Sequence, residues 1–202
     1  MTFNCLIAGI GGQGTVLASK LLAAAAMKKG FNVRTTETIG MAQRGGSVVS
    51  HVRIGEEIFS PLIPLGKADM LIAFEPAEAV RQLAFLKSGG FLLVSGENTS
   101  TTMTEYLKAN VPNLVVMDSR RLSELSAKTL NVALLGAAAQ LSQRAQLSQR
   151  AQLSQRAQSG EGFPFDAQTL KEIIPEMVHE RFREINLESF ELGRRIYDEY
   201  NR

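Results

Sequence analysis

The sequence predicts an α/β fold: a doubly wound, mostly parallel, Rossmann-like sheet with a small antiparallel excursion and a helical C-terminal part. Three observations lead there. Short, continuously apolar runs alternate with helical patterns over the first 120 residues. Glycines punctuate the junctions between runs and helices. Helical periodicity then takes over the second half. With 202 residues, 45% of them hydrophobic, residues 1–202 are long enough to bury one core without a disulfide or a structural metal.

Cys5 to Ala8 reads as a strand buried on both faces, because it is apolar without alternation. An Ala- and Leu-rich helix follows from about Thr15 to Lys29, with Gly30 as its cap. Phe31 to Thr36 is a second strand. Ser47 to Ile54 alternates: Val48, Ser50, Val52 and Ile54 share one face, and Val49, His51 and Arg53 the other. Gly55 turns the chain, so Glu57 to Ser60 is expected to return as a hairpin partner at the sheet edge. Met70 to Phe74, Phe91 to Ser95 and Leu114 to Met117 are further strands. Glu75-Pro76 opens the helix between the first two of these, since proline is tolerated in a first helical turn. Gly89-Gly90 ends it.

The second half is helical. Asn131 to Ala139 begins a helix that runs into three identical hexamers, Ala139 to Arg144, Ala145 to Arg150 and Ala151 to Arg156. Six residues at about 100° each leave successive leucines about 120° apart. Leu141, Leu147 and Leu153 therefore point in three directions, and residues 139–158 read as a low-complexity insert rather than a core helix. A turn around Gly162 to Phe165 leads to a short helix interrupted by Pro175. A final amphipathic helix spans residues 176–201, with Val178, Phe182, Ile185, Ser189, Leu192, Ile196 and Tyr200 on one stripe. The stripe fits packing on the chain's own sheet, or docking of a partner.

Composition excludes several classes. The net charge is +2, and without the three arginines of the hexamers it would turn slightly negative, which is no footprint for nucleic acid or an anionic membrane. A single cysteine, Cys5, forms no internal disulfide and cannot hold an iron–sulfur cluster, which needs about four thiolates. No basic n-region precedes an apolar run, and no stretch reaches the ~20 apolar residues of a membrane span. A soluble, cytoplasmic protein is expected.

Two stretches could carry chemistry. Gly9, Gly11, Gly12, Gln13 and Gly14 lie in a G-x-G-x-x-G pattern after a strand and before a helix, and Glu37 follows where a dinucleotide site places its ribose-binding acid. These residues are candidate cofactor contacts. Equally, any tight strand–helix turn benefits from glycines. No Lys-Ser/Thr pair follows, so this is not an ATPase loop. The second stretch holds Gly40, Met41, Gln43, Arg44, Gly45 and Gly46, at the carboxyl edge where such sheets bind ligands. There an arginine among glycines can offer its fork to a carboxylate or phosphate, or can simply be solvated. His51 and His179 lack metal-ligand spacing and read as ordinary surface or interface histidines. No catalytic or metal-binding constellation is evident.

Gly9 to Gly14, Met41 to Val48, Val52 to Gly55, Ser60 to Ile63, Gly66 to Asp69 and Phe74-Glu75-Pro76 with Glu78-Ala79 together resemble the gamma domain of 2-oxoacid:ferredoxin oxidoreductases. The Met41 to Gly46 loop is similar to the indolepyruvate branch of that family. The resemblance covers nearly the whole chain, and the hexamers depart from it. It implies an accessory subunit that helps shape an active-site cleft for oxidative decarboxylation of a 2-oxoacid to an acyl-CoA with ferredoxin reduction. Thiamine diphosphate, magnesium and iron–sulfur clusters would sit on a large partner subunit, since this chain has no Gly-Asp-Gly thiamine motif. Coenzyme A would be a co-substrate and ferredoxin an indirect partner. The isolated chain would be inactive and could pair with itself through surface meant for its partner. Two other readings stand beside this one: an independent NAD(P)-binding oxidoreductase resting on the glycine loop and Glu37, and a purely structural partner.

Overall fold

The computed structural model describes residues 2–40, 45–96, 101–152 and 164–200. In chain order these form β1 (Thr2–Ile10), α1 (Thr15–Lys28), β2 (Asn32–Ile39), β3 (Ser47–Gly55), β4 (Ala68–Ala73), α2 (Pro76–Gln82), β5 (Leu86–Gly96), α3 (Thr102–Asn110), β6 (Asn113–Asp118), α4 (Ser119–Leu122), α5 (Leu130–Gln152), α6 (Ala167–Met177) and α7 (Arg183–Tyr200). The strands make one sheet in the order β2-β3-β1-β4-β5-β6. β1, β4, β5 and β6 run parallel, and β3 is antiparallel to both β1 and β2.

The unbroken apolar run of β1 follows from its position. Cys5 and Ile7 pack with α1, α5, α6 and α7 on one face. Leu6 and Ala8 pack with the α2–α3 face on the other. All four are fully buried. Each large side chain so buried contributes roughly 1.5–3 kcal/mol, and both faces are covered as a doubly wound sheet requires.

The antiparallel segment stands at the sheet edge, as expected, but is larger and pairs with different strands. β3 pairs with β1 from Thr2↔Gly55 to Ile10↔Ser47 and with β2 from Asn32↔Gly55 to Ile39↔Val48. Both of its edges are therefore taken, and Glu57 to Ser60 has no ladder to join. That segment instead folds over the sheet face, where side chains hold its carbonyls. Arg34 Nε donates to Ile58 O (2.6 Å), and Arg53 Nη1 donates to Ser60 O (2.8 Å) and Leu62 O (3.2 Å). His51 is part of this anchoring rather than a surface residue. It is 4% exposed, its Nδ1 accepts from Ile63 N at 3.2 Å, and its ring meets Phe85 edge-on. Burial pushes its pKa down. His179 is exposed and accepts from Arg181 N at 3.4 Å, a long bond at the start of a short turn.

The helical half differs in register. α5 carries the first hexamer into the core: Ala139, Leu141 and Ser142 are buried, and Gln140 Nε2 donates to Asp198 of α7. The helix continues through Gln152, and the rest of the hexamer tract lies outside the described residues. α6 runs through Pro175 and ends two residues later. Val178 then caps α6, so the final helix begins only at Arg183. Its buried face holds Ser189, Leu192 and Ile196 as expected. It also holds Asn186, Phe190, Gly193 and Tyr197, while Phe182 and Tyr200 are exposed. The displacement comes from α5. A Cβ on Gly193 would stand 1.8 Å from Ala133 O, and one on Gly136 2.0 Å from Phe190 O, so glycines set the closest approach of the two helices.

Candidate functional site at the carboxyl edge

The loops after β1, β2 and β4 converge at one end of the sheet, the end where open α/β sheets bind ligands. The glycine loop leaves β1 at Ile10 and enters α1 through Gly14, whose φ of 81° disfavours a side chain. Space is also closed there, because a Cβ on Gly14 would stand 2.4 Å from Asn131 Nδ2. Asn131 in turn donates to Gly14 O at 3.2 Å, so α5 supports the loop from beneath. Gly9 is pressed between Gln13 and the Phe74 ring.

Gln13 is engaged within the protein at both ends. Its Oε1 accepts from Ile10 N (2.8 Å), closing the loop on itself, and its Nε2 donates to Glu75 Oε1 (2.8 Å) at the start of α2. The hairpin between β2 and β3 joins the same edge. Gly11 N donates to Gly46 O (2.8 Å), and Gly40 N donates to Ser47 O (2.9 Å). Ser47 Oγ donates to Glu78 Oε2 at 2.6 Å, and the fully buried Glu78 carboxylate is also paired with Arg81.

The structure thus gathers Gly9, Gly11, Gly12, Gln13 and Gly14 with Gly40, Gly45 and Gly46. Met41, Gln43 and Arg44 lie outside the described residues. Glu37 stands apart. β3 separates its strand from β1, two strand spacings or about 10 Å, and its carboxylate takes a 3.4 Å contact from Ser19 Oγ on α1. A dinucleotide site needs that acid beside the glycine loop. Glu37 is placed across β3 from the glycine loop. At the helix start, where a pyrophosphate would bind, the Glu75 carboxylate sits beside Gln13.

Sequence reasoning passed over Glu75, Glu78 and Asn131 as parts of this edge. The signal for the first was the strand-to-helix junction at Glu75-Pro76, which the parallel topology places next to the glycine loop. Nothing in the sequence marks Glu78 as buried. Cys5 is wholly enclosed, and burial, aided by the Asp69 charge, pushes its thiol far above the ordinary range. Among the described residues, no three His, Cys, Asp or Glu side chains converge as a metal site would, and no helix is long and apolar enough to cross a membrane.

The pyruvate ferredoxin/flavodoxin oxidoreductase family matches residues 4–196. The chain is 32% identical over 208 aligned positions to the indolepyruvate oxidoreductase subunit IorB of Thermococcus kodakarensis, covering 95% of this chain and 94% of that one. It is 35% identical to IorB of Archaeoglobus fulgidus, with 96% and 94% covered. The pyruvate/ketoisovalerate oxidoreductases common subunit gamma of Thermococcus kodakarensis is 32% identical over 65% of this chain and 74% of its own. Among solved structures, the keto/oxoacid ferredoxin oxidoreductase gamma subunit from Geobacter sulfurreducens superposes with a TM-score of 0.68 at 22% identity, covering 98% and 99% of the two chains. The 2-oxoglutarate:ferredoxin oxidoreductase from Magnetococcus marinus gives 0.69 at 21% identity, where this chain matches 31% of that one.

Proposed function

Because the chain belongs to the pyruvate ferredoxin/flavodoxin oxidoreductase family, we propose that it is the small accessory subunit of a cytoplasmic 2-oxoacid:ferredoxin oxidoreductase of the indolepyruvate type. The observation that carries this reading is the end-to-end match to relatives named as indolepyruvate oxidoreductase subunits. The enzyme would decarboxylate an arylpyruvate, pass its electrons to ferredoxin and deliver the acyl group to coenzyme A.

The residues present do not fit an iron–sulfur cluster. One enclosed, protonated cysteine cannot ligate a cluster. In this reading a large partner subunit holds thiamine diphosphate, magnesium and the iron–sulfur clusters, which supply the carbon–carbon cleavage and electron transfer. This chain supplies shape. Gly9, Gly11, Gly12, Gln13 and Gly14 form a braced platform rather than a nucleotide pocket. Gly40, Met41, Gln43, Arg44, Gly45 and Gly46 face the cleft between subunits, where the Arg44 fork steers the oxoacid carboxylate or a coenzyme A phosphate. Glu37 packs the second strand against α1. A loop bearing Phe59 (92% exposed), Leu62 and Leu65 offers apolar surface of the kind a subunit interface covers.

The test is an anaerobic affinity pull-down of the tagged chain from its native cytosol, assayed for arylpyruvate- and coenzyme A-dependent dye reduction. A brown complex with a large subunit and that activity is the expected result. A lone, colourless chain that binds a dinucleotide would overturn it. In the complex, Arg44→Ala should raise the KM of one substrate, and unchanged constants would remove the loop from the cleft.

A further inference from the structure

We infer that Glu78 is a positioning residue: its buried carboxylate ties Ser47, where Gly40 and Gly46 come together at the junction of β2 and β3, to the start of α2 and so holds these residues against the glycine loop. The inference rests on the reading that the stretch from Gly40 to Gly46 faces the cleft. Glu78 is the third residue of α2, and side chains there lean back toward the helix start and the sheet edge. One carboxylate oxygen accepts from Ser47 Oγ at 2.6 Å. The other pairs with Arg81, one turn further on.

Ser47 is where the two loops meet. Its own carbonyl accepts from Gly40 N (2.9 Å), and the carbonyl of the preceding Gly46 accepts from Gly11 N (2.8 Å). A shift of Ser47 therefore moves both loops. The choice of a carboxylate is informative. Glu78 has no exposed side-chain surface, while Arg81 is 61% exposed. Burying a charge beside a partner left mostly in water gives little stability over an apolar pair. What it does supply is two fixed acceptor directions, one for the hydroxyl that ends the hairpin and one for the helix that follows β4.

Hydrogen exchange on the full chain tests the clamp, using Glu78→Gln and Ser47→Ala. Both should accelerate exchange at the Gly11 and Gly40 amides on the order of tenfold while leaving the central amides of β1 unchanged. In the complex with the large subunit, the same variants should raise the KM for the oxoacid or coenzyme A on the order of tenfold, with assembly intact. Unchanged exchange at both glycines overturns the clamp. Faster exchange with unchanged Michaelis constants overturns its part in the cleft. If Glu78→Gln loosens β1 as well, Ser47→Ala decides: a local effect with a raised KM supports the inference, and none overturns it. A wild-type complex without arylpyruvate turnover would count against the accessory-subunit reading instead, and the exchange measurement would still decide the clamp.

Discussion

Glycine serves opposite ends in the open carboxyl edge and in the packed interior. At the edge, Gly12 and Gly45 have φ of 97° and 69°, with no heavy atom within 4 Å of where a Cβ would sit. Their value is conformational: the chain must turn there, and the space above stays free for something else. At the α5–α7 crossing, Gly136 and Gly193 stand where a Cβ would lie 2.0 and 1.8 Å from a neighbouring carbonyl oxygen. Their value is steric, since two helix backbones touch. One region is a surface kept open, and the other is a contact that tolerates no added atom.

The sharpest way to break this contrast is Gly193→Ala. Displacing α7 from α5 should cost about 3 kcal/mol in denaturant unfolding, and a loss under 1 kcal/mol would mean that the helices separate freely. The interior can also be stressed by charge. Burial lowers the pKa of His51, so as pH falls below about 6.5 the unfolded chain takes up a proton that the folded chain refuses. Stability should then fall, by no more than about 1.4 kcal/mol per pH unit, and be fully present above that range. His51→Gln should flatten this part of the profile, and a parallel profile would show that other groups cause it. At the open edge the effect is smaller. Gly12→Ala should cost about 1 kcal/mol from its left-handed backbone alone, and a cost equal to that of Gly193→Ala would erase the distinction. Smallest of all, deleting Ala145 to Arg156 leaves one intact hexamer, the copy that packs against α7. Unfolding free energy should change by less than about 0.5 kcal/mol, and a larger loss would assign the extra copies a packing role.

Much of this was legible beforehand because it is local. Unbroken apolar runs revealed strands covered on both faces, Pro76 opened its helix, and Gly30 closed α1 with its N–H on Met27 O. The stretch after the second strand is expected at the carboxyl edge, and there Gly46 O meets Gly11 N of the glycine loop. The final stripe was misjudged because Gly193 counts as no hydrophobe yet sits at the closest contact. The first hexamer was misjudged because repetition obscured that Leu141 has a partner face to bury against.

Local periodicity and turn chemistry by themselves determined the fold class, the succession of elements and the two loops of interest, since each depends on residues a few positions apart. Tertiary structure alone decided that β3 lies between β1 and β2, which removes Glu37 from the glycine loop and leaves β3 no free edge for a returning strand. It also decided that Glu78 is enclosed, with one oxygen on Ser47. Both depend on which strand edges pair and which side chains lose water, and these are choices made between segments that lie tens of residues apart in the chain.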